Sequence, residues 1–212
     1  MGDEYFKVRL QRDPAESEVW RAIVEDLQKK FMQELPQNSL DLGCGYGDFS
    51  RHLRAHRKTA IDLGSMQEFQ APEVHFIQGD IFELLPLQKM PFDLIFASNL
   101  IEHLERDPAQ HLLKQLHQQM LRGGKLILIQ PNFRFCYRRY FDDYTHRTIY
   151  TDESLKGLLK ASGFVITHCK ERYLPFSMRG NILPKSYFLT KTYLALGSPI
   201  LGAQMLIVAE KN

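Results

Sequence analysis

Leu40-Asp41-Leu42-Gly43-Cys44-Gly45-Tyr46-Gly47-Asp48 is the stretch on which the reading of this chain turns. Leu40 to Gly43 has the composition of a short buried strand, and it runs straight into a turn with glycine at 43, 45 and 47. Glycine lets a backbone turn tightly and lets a ligand approach where a Cβ would clash. A helix following such a turn points its first amide groups at that ligand. A dinucleotide fingerprint would need a further glycine at 48, but Asp48 stands there, and its carboxylate would repel a diphosphate.

Outward from this turn, strand and helix signals alternate. On the amino-terminal side, Pro14 suits a helix start. Val19, Ile23, Leu27 and Phe31 then recur at four-residue steps over Glu18 to Phe31, the apolar face of an amphipathic helix. On the other side, Thr59–Asp62, Val74–Ile77 and Phe92–Ala97 have strand character. Pro108 to Leu121 is helical in pattern, with Gly123-Gly124 placed to stop it. Lys125–Ile129 is a fifth strand ended by Pro131, and Thr151 caps a helix closed by Gly163. Phe164-Val165-Ile166 starts a sixth strand, and Met205–Ala209 is a seventh. Such alternation predicts right-handed crossovers and a doubly wound, Rossmann-like α/β fold, its mostly parallel sheet covered by helices on both faces. The chain divides as one domain: a helical cap over 1–37, a core sheet over 38–171 and 204–212, and an insertion over 172–203 carrying Pro175, Pro184 and Pro199. In such sheets a ligand sits beyond the carboxyl ends of the strands.

Bulk properties narrow the classes. The 212 residues are 44% hydrophobic and 25% charged, enough for a real core and too apolar for a disordered chain. A net charge of +2 gives no general attraction to nucleic acid or to an anionic membrane. Cys44, Cys136 and Cys169 form no CxxC pair and no disulfide framework, which points to a reducing compartment. Met1 to Asp13 lacks the apolar core of a signal peptide. The longest apolar run, Tyr187 to Leu201, is interrupted by Lys191 and Pro199 and falls short of the roughly 20 residues that a span needs. The expectation is a cytoplasmic protein, monomer or homodimer. No nucleic-acid partner and no stable membrane insertion are expected, though a peripheral membrane contact through the insertion is possible.

Two further features follow the glycine turn in order. Asp62 ends the second strand 21 residues after Asp41, where a carboxylate can accept both hydroxyls of a ribose. Gly79-Asp80-Ile81 follows the third strand, able to offer a carboxylate to an adenine amino group and an amide to its ring. Taken together, LDLGCGYGDFS resembles the first motif of class I S-adenosylmethionine-dependent methyltransferases, and AIDLG the second. GDIFEL is similar to that family's adenine-contacting segment, FDLIFASNLIEHL to its fourth-strand motif and LRGGKLILIQPN to its fifth. The resemblance spans about residues 38 to 210 and implies seven strands, the last antiparallel. It implies that Asp41, Gly43 and Gly45 surround the methionine end of the cofactor, and Asp62 with Leu63 the ribose. Asp80 and Ile81 would hold the adenine, and Ser98 and Asn99 would lie near the sulfonium.

The methyl acceptor is harder to read. Ser98-Asn99-Leu100-Ile101-Glu102-His103 is not the Asn/Asp-Pro-Pro-aromatic motif of amino-directed DNA methyltransferases, and Glu102 alone does not make the two-glutamate loop of protein arginine methyltransferases. His103 falls just past the fourth strand and has the chemistry of a general base for a hydroxyl, or equally of a residue that orders its loop. The segment Gln130 to Arg147 arches over the ligand end after the fifth strand. Its arginines and aromatic rings suit an anionic or sugar-like acceptor, or a lid held by its own salt bridges such as Arg147 to Asp143. Asp143 and His146 are the next catalytic candidates. With Asp142 they would make a poor metal-ligand set, so no metal is expected. SNLIEHL, IQPNFRFCYRRYFDDYTHRTIYTDESL, RYLPF and GAQMLIVAEK, with Tyr5, Phe6 and Arg9, resemble bacterial methyltransferases often encoded among sugar-transfer and surface-polysaccharide genes. Where that group tends to carry a lysine before the glutamine near its end, this chain has Ala203-Gln204. The resemblance implies methyl transfer to a small-molecule or glycan-related acceptor at a hydroxyl. The rivals are a carboxyl- or N-methyltransferase of a metabolite, or a non-catalytic cofactor-binding partner subunit.

Overall fold

The structure, a computed structural model, describes residues 13–64, 71–175, 185–197 and 201–212. Tyr5, Phe6 and Arg9, and within the insertion Phe176 and Arg179, lie outside the described residues.

Helix α1 (Pro14–Phe31) starts where Asp13 Oδ1 accepts the Ala15 amide proton at 2.9 Å, four residues earlier than its apolar face suggests. Strand β1 (Ser39–Leu42) follows, then the glycine turn and the short helix α2 (Asp48–His52). Strands β2 (Lys58–Asp62) and β3 (His75–Gln78) and helix α3 (Ile81–Leu84) come next. Strand β4 (Phe92–Ser98) leads through a 3-10 turn, Ile101–His103, to helix α4 (Arg106–Gln119). Strand β5 (Met120–Pro131) is followed by helix α5 (Phe133–Cys136), a 3-10 turn at Tyr140–Asp142 and helix α6 (Asp152–Ala161). Thr151 and Ser154 cap α6 reciprocally. Strand β6 (Val165–Leu174), helix α7 (Tyr187–Ala195) and strand β7 (Gln204–Glu210) complete the fold.

The seven strands form one sheet in the order β3-β2-β1-β4-β5-β7-β6. β1 pairs in parallel with β2 and β4, as do β2 with β3 and β4 with β5. β7 runs antiparallel to both β5 and β6, so it alone opposes the rest. This is the doubly wound sheet with an antiparallel last strand that the sequence predicts.

Alternation of side chains along the strands divides the core in two. Leu94 and Phe96 of β4, with Ile127 and Ile129 of β5, pack under Val19, Ile23, Val24 and Leu27 of α1. Ile95 and Ala97, with Leu126 and Leu128, face Leu112, Leu113 and Leu116 of α4 and Leu155 and Leu159 of α6. The described part of the insertion joins the first layer: Leu194 is buried there, and Lys185 reaches Asp13 and Glu16, each at 2.7 Å. Among the described residues no helix is long and apolar enough to cross a membrane.

Two boundaries differ from the sequence reading. α4 ends at Gln119, before the Gly123-Gly124 pair, which lies inside β5. There Gly123 takes φ +75 and donates its amide proton to Lys211 O at 2.6 Å, beside the register shift that begins β5. β6 extends to Leu174, three residues into the stretch assigned to the insertion, because its edge position tolerates the polar run Thr167 to Glu171.

The Phe49 and Phe96 rings stack at 3.6 Å between α2 and the sheet. Phe96→Ala should therefore destabilise the fold by about 3–5 kcal/mol, the usual cost of emptying a buried aromatic site. Urea denaturation of the variant beside the wild type measures it.

Candidate active site

The carboxyl ends of β1 and β4 are neighbours, while the chain leaves them toward opposite sides of the sheet. Such a switch point is where open α/β sheets bind ligands, and the predicted residues collect along this rim of the sheet. Gly43 at φ +61 donates to Ile61 O at 2.9 Å, which turns the chain away from the sheet. A Cβ there would stand 3.1 Å from Leu100 Cδ1, whereas one at Gly45 (φ +53) would meet nothing within 4 Å. The surface over Gly45 is therefore open.

Two carboxylates brace this turn from below. Asp41 is only 3% exposed, and its Oδ2 accepts from Ser50 Oγ at 2.8 Å. Burial pushes its pKa up to about 7; the Ser50 bond opposes the rise and the nearby Asp62 charge adds to it. Asp62 Oδ2 accepts the Gly45 amide proton at 2.8 Å and Oδ1 that of Gly64 at 2.7 Å. Burial raises the Asp62 pKa, and those amides counteract it. The two bonds use about half of a carboxylate's acceptor capacity, so Asp62 can still take ligand hydroxyls. Leu63 beside it is 55% exposed. Asp80, at the adjacent end of β3, is exposed and caps α3 by accepting from Phe82 N at 2.8 Å; Ile81 behind it is buried. The donor set fits an adenosyl group, with carboxylates for hydroxyls and an amino group and apolar side chains for a ring.

At the end of β4, Asn99 is the one described non-glycine residue with positive φ, at +50. Such a conformation persists only where surroundings enforce it. Its amide is bound to Ile129 O at 2.9 Å, its Oδ1 accepts from Gln204 Nε2 at 3.2 Å, and its Nδ2 reaches Ser98 Oγ at 3.2 Å. Gln204 opens β7, so that strand contributes to the rim.

Three residues on, the chain meets the segment that follows β5. The Glu102 carbonyl accepts amide protons from Arg147 at 2.8 Å and Thr148 at 3.1 Å, and Thr148 Oγ1 donates to Leu104 O at 2.7 Å. These bonds fix His146 beside His103, ring centroids 5.0 Å apart. Thr145 Oγ1 donates to Asp143 Oδ1 and is left to accept from His103 Nδ1 at 3.0 Å. His146 Nδ1 donates to Tyr140 O at 2.7 Å. Both imidazoles are thus held as the Nδ1–H tautomer, with Nε2 carrying the lone pair. Burial lowers the His103 pKa, as does the neighbouring His146. Glu102 is 1% exposed, with His146 Nε2 at 4.0 Å from its Oε1 and neither carboxylate oxygen hydrogen-bonded. Burial pushes it up to about 8.

A family profile described as a methyltransferase domain matches residues 11–169, well over half the chain. This chain belongs to that methyltransferase family. Fold, enzyme class and S-adenosylmethionine dependence follow as expected from the sequence. A malonyl-[acyl-carrier protein] O-methyltransferase of Pseudescherichia vulneris is 35% identical over 126 residues, 56% of this chain and 49% of that protein. The chain thus spans about half the length of that curated relative. A SAM-dependent methyltransferase from Archaeoglobus fulgidus superposes with a TM-score of 0.68 at 19% identity, covering 98% of both chains. The N-methyltransferase NodS of Bradyrhizobium japonicum, in complex with S-adenosyl-L-homocysteine, gives 0.61 at 17%, covering 97% of this chain and 91% of that one.

Within this methyltransferase the structure brings together His103, His146 and, through Thr145, Asp143. One sequence reading needs correction: Arg147 pairs with Glu105 at 3.1 Å, where the sequence suggested Asp143. His146 lies with Glu102 and His103, and Asp142 sits 3.4 Å from Arg139. Glu102 was missed as a member of the cluster. Its adjacency to His103 is visible in sequence, but its contact with His146 across the sheet edge is not.

The buried Asp41 generates a test without any ligand. A carboxyl whose folded pKa is raised contributes stability below its unfolded pKa and loses it as pH climbs. The wild-type protein should therefore fall behind Asp41→Asn, which keeps the Ser50 bond, as pH rises from about 4 to 7, with the gap level above that. Thermal melts of both at pH 5, 6, 7 and 8 check it.

Proposed function

We propose that this chain transfers the methyl group of S-adenosylmethionine to a hydroxyl oxygen of a small, glycan-related acceptor in the cytoplasm. The observation that carries the reading is the His103–His146–Glu102 cluster just past the rim residues Ser98 and Asn99. In this reading Asp41, Gly43 and Gly45 surround the methionine end of the cofactor. Asp62 and Leu63 hold its ribose, Asp80 and Ile81 its adenine, and Ser98 and Asn99 border the sulfur. Bound there, the cofactor supplies a methyl group on a positively charged sulfur. The protein's part is to hold acceptor oxygen and methyl in line, which contributes most of such a rate enhancement.

In this reading His103 Nε2 relieves a hydroxyl of its proton. Asp143 acts through Thr145 to hold that tautomer, and His146 flanks it. Tyr137, Phe141 and Tyr144 are more than half exposed on the same segment as Arg138, and such rings stack on sugar faces while arginine binds anionic groups. The three cysteines are free, in keeping with a reducing compartment. A second reading is favoured by the malonyl-[acyl-carrier protein] O-methyltransferase relative: the accepting oxygen belongs to a carboxylate, which needs no base at neutral pH.

S-adenosylhomocysteine should raise the melting temperature and NAD should not, since Asp48 replaces a fingerprint glycine. Asp62→Asn should weaken S-adenosylmethionine binding tenfold or more, the effect of losing a charge-assisted bond of about 1.5–3 kcal/mol. Calorimetric titration reads this directly, and unchanged affinity would remove Asp62 from the pocket.

His103→Ala separates the two acceptors. With a hydroxyl acceptor, found by screening nucleotide sugars and lipid-linked glycans, the variant should bind cofactor normally and lose about 10²–10⁴ in rate. Full rate on a carboxylate acceptor would establish the second reading instead.

A further inference from the structure

Glu102 poses a problem that the proposed methyl transfer leaves unsolved. Its side chain is 1% exposed, and neither carboxylate oxygen has a hydrogen-bond partner. Buried carboxyl groups are normally paired, hydrogen-bonded or bound to a metal. The 4.0 Å approach of His146 Nε2 to Oε1 is at the outer limit of an ion pair. Yet the surroundings are held firmly, since the Glu102 backbone carbonyl is bonded to both Arg147 and Thr148. A glutamate fixed so rigidly with its oxygens unused is shaped for something that is not protein.

The neighbours say what. One ligand atom from each of Glu102, His103 and His146 lies within 4.8 Å of the other two. Both imidazoles commit Nδ1 to protein acceptors, Tyr140 O for His146 and Thr145 for His103. In the Nδ1–H tautomer the basic nitrogen of each ring is Nε2. In the His103 case a carboxylate stands behind the bond, through Thr145 Oγ1 to Asp143. A carboxylate or carbonyl behind a histidine is the outer-shell arrangement that orients metal-binding imidazoles and raises their basicity.

We propose that Glu102, His103 and His146 form a binding site for one divalent transition-metal cation. Two imidazole nitrogens and a carboxylate select manganese, iron, cobalt or zinc over the harder magnesium and calcium. Metal bonds of about 2.1 Å place ligand atoms roughly 3–3.5 Å apart, so side chains now within 4.8 Å of one another must close by up to about 1.5 Å, a rotamer-scale movement. Three protein ligands leave coordination positions unfilled, the form of a catalytic site and not a structural one. This deepens the hydroxyl-acceptor reading and rests on it only for the occupant of the open position: the acceptor hydroxyl, which would lose its proton to solvent more readily beside the cation. The cation then takes over the activating role that the metal-free reading gives to His103 Nε2.

The test is binding, with cofactor and acceptor both absent, so its outcome stands apart from whether oxygen is methylated. The full chain is stripped with EDTA and titrated with Co²⁺, followed by calorimetry and by the visible absorption of the bound ion. One Co²⁺ per chain is expected. Glu102→Gln keeps the shape and removes the charge, and His146→Asn removes a ligand from the opposite segment; each should weaken binding at least tenfold. Circular dichroism and melting identify a variant that is misfolded, in which case the other carries the test. No stoichiometric uptake by the wild type, or folded variants that bind Co²⁺ as tightly as it does, would overturn the site.

Discussion

β1 is four residues long, buried throughout, and hydrogen-bonded in parallel to β2 on one side and β4 on the other. Parallel pairing forces the neighbouring strands to end at the same edge, and each must then be followed by a crossover. Because the chain winds outward in both directions from β1, the crossovers diverge and the edge between β1 and β4 stays uncovered. Gly43, Asp62 and Asn99 stand at this edge because they follow or end β1, β2 and β4. The antiparallel β7 adds Gln204 to the same rim, since its beginning lies against the end of β5.

Burial acts differently on the carboxylates gathered there. Asp62 is braced by two amide bonds, which favour its charged form and offset much of its desolvation. Asp41, held by Ser50, and Glu102, whose carboxylate oxygens have no hydrogen-bond partner, are buried deeply enough that desolvation prevails, and burial pushes both up to near neutrality. Where backbone amides converge the carboxylate is satisfied by protein; at Glu102, on a 3-10 turn whose backbone is already bonded, it is not.

The central strands were legible in the sequence because they are apolar on both faces and end in turn residues or acids, as in Leu40–Asp48. The antiparallel edge was harder. β6 is exposed or half-buried over most of its length, so Thr167-His168-Cys169-Lys170-Glu171 carries no apolar run, and only its start at Phe164–Ile166 could be recognised. The Gly123-Gly124 pair suggests a helix stop, but α4 ends before it because Met120 already pairs with Phe92. In the candidate site, acids at strand ends are local signals and were found. The company of Glu102 with His146 depends on how the segment after β5 folds back onto the turn after β4, a contact 44 residues apart in sequence that no spacing rule encodes.

That fold-back also bears on where acceptor choice resides. The strand-end residues are placed by sheet pairing, which a change of acceptor would leave untouched. Between Asn132 and Thr151 no strand intervenes; short turns are held by side-chain bonds such as Tyr140 to the Thr148 carbonyl and Arg134 to Asp152. Its buried anchors, Tyr140 and Cys136, pack on Ala203 at the start of the last strand. Tyr137, Phe141 and Tyr144 stay exposed on the same segment. Such a segment can alter its outer surface while its anchors keep His146 beside Glu102 and His103. In the proposed reading, selection of the acceptor falls to the exposed rings and arginines, and activation of its oxygen to the cluster that these anchors hold.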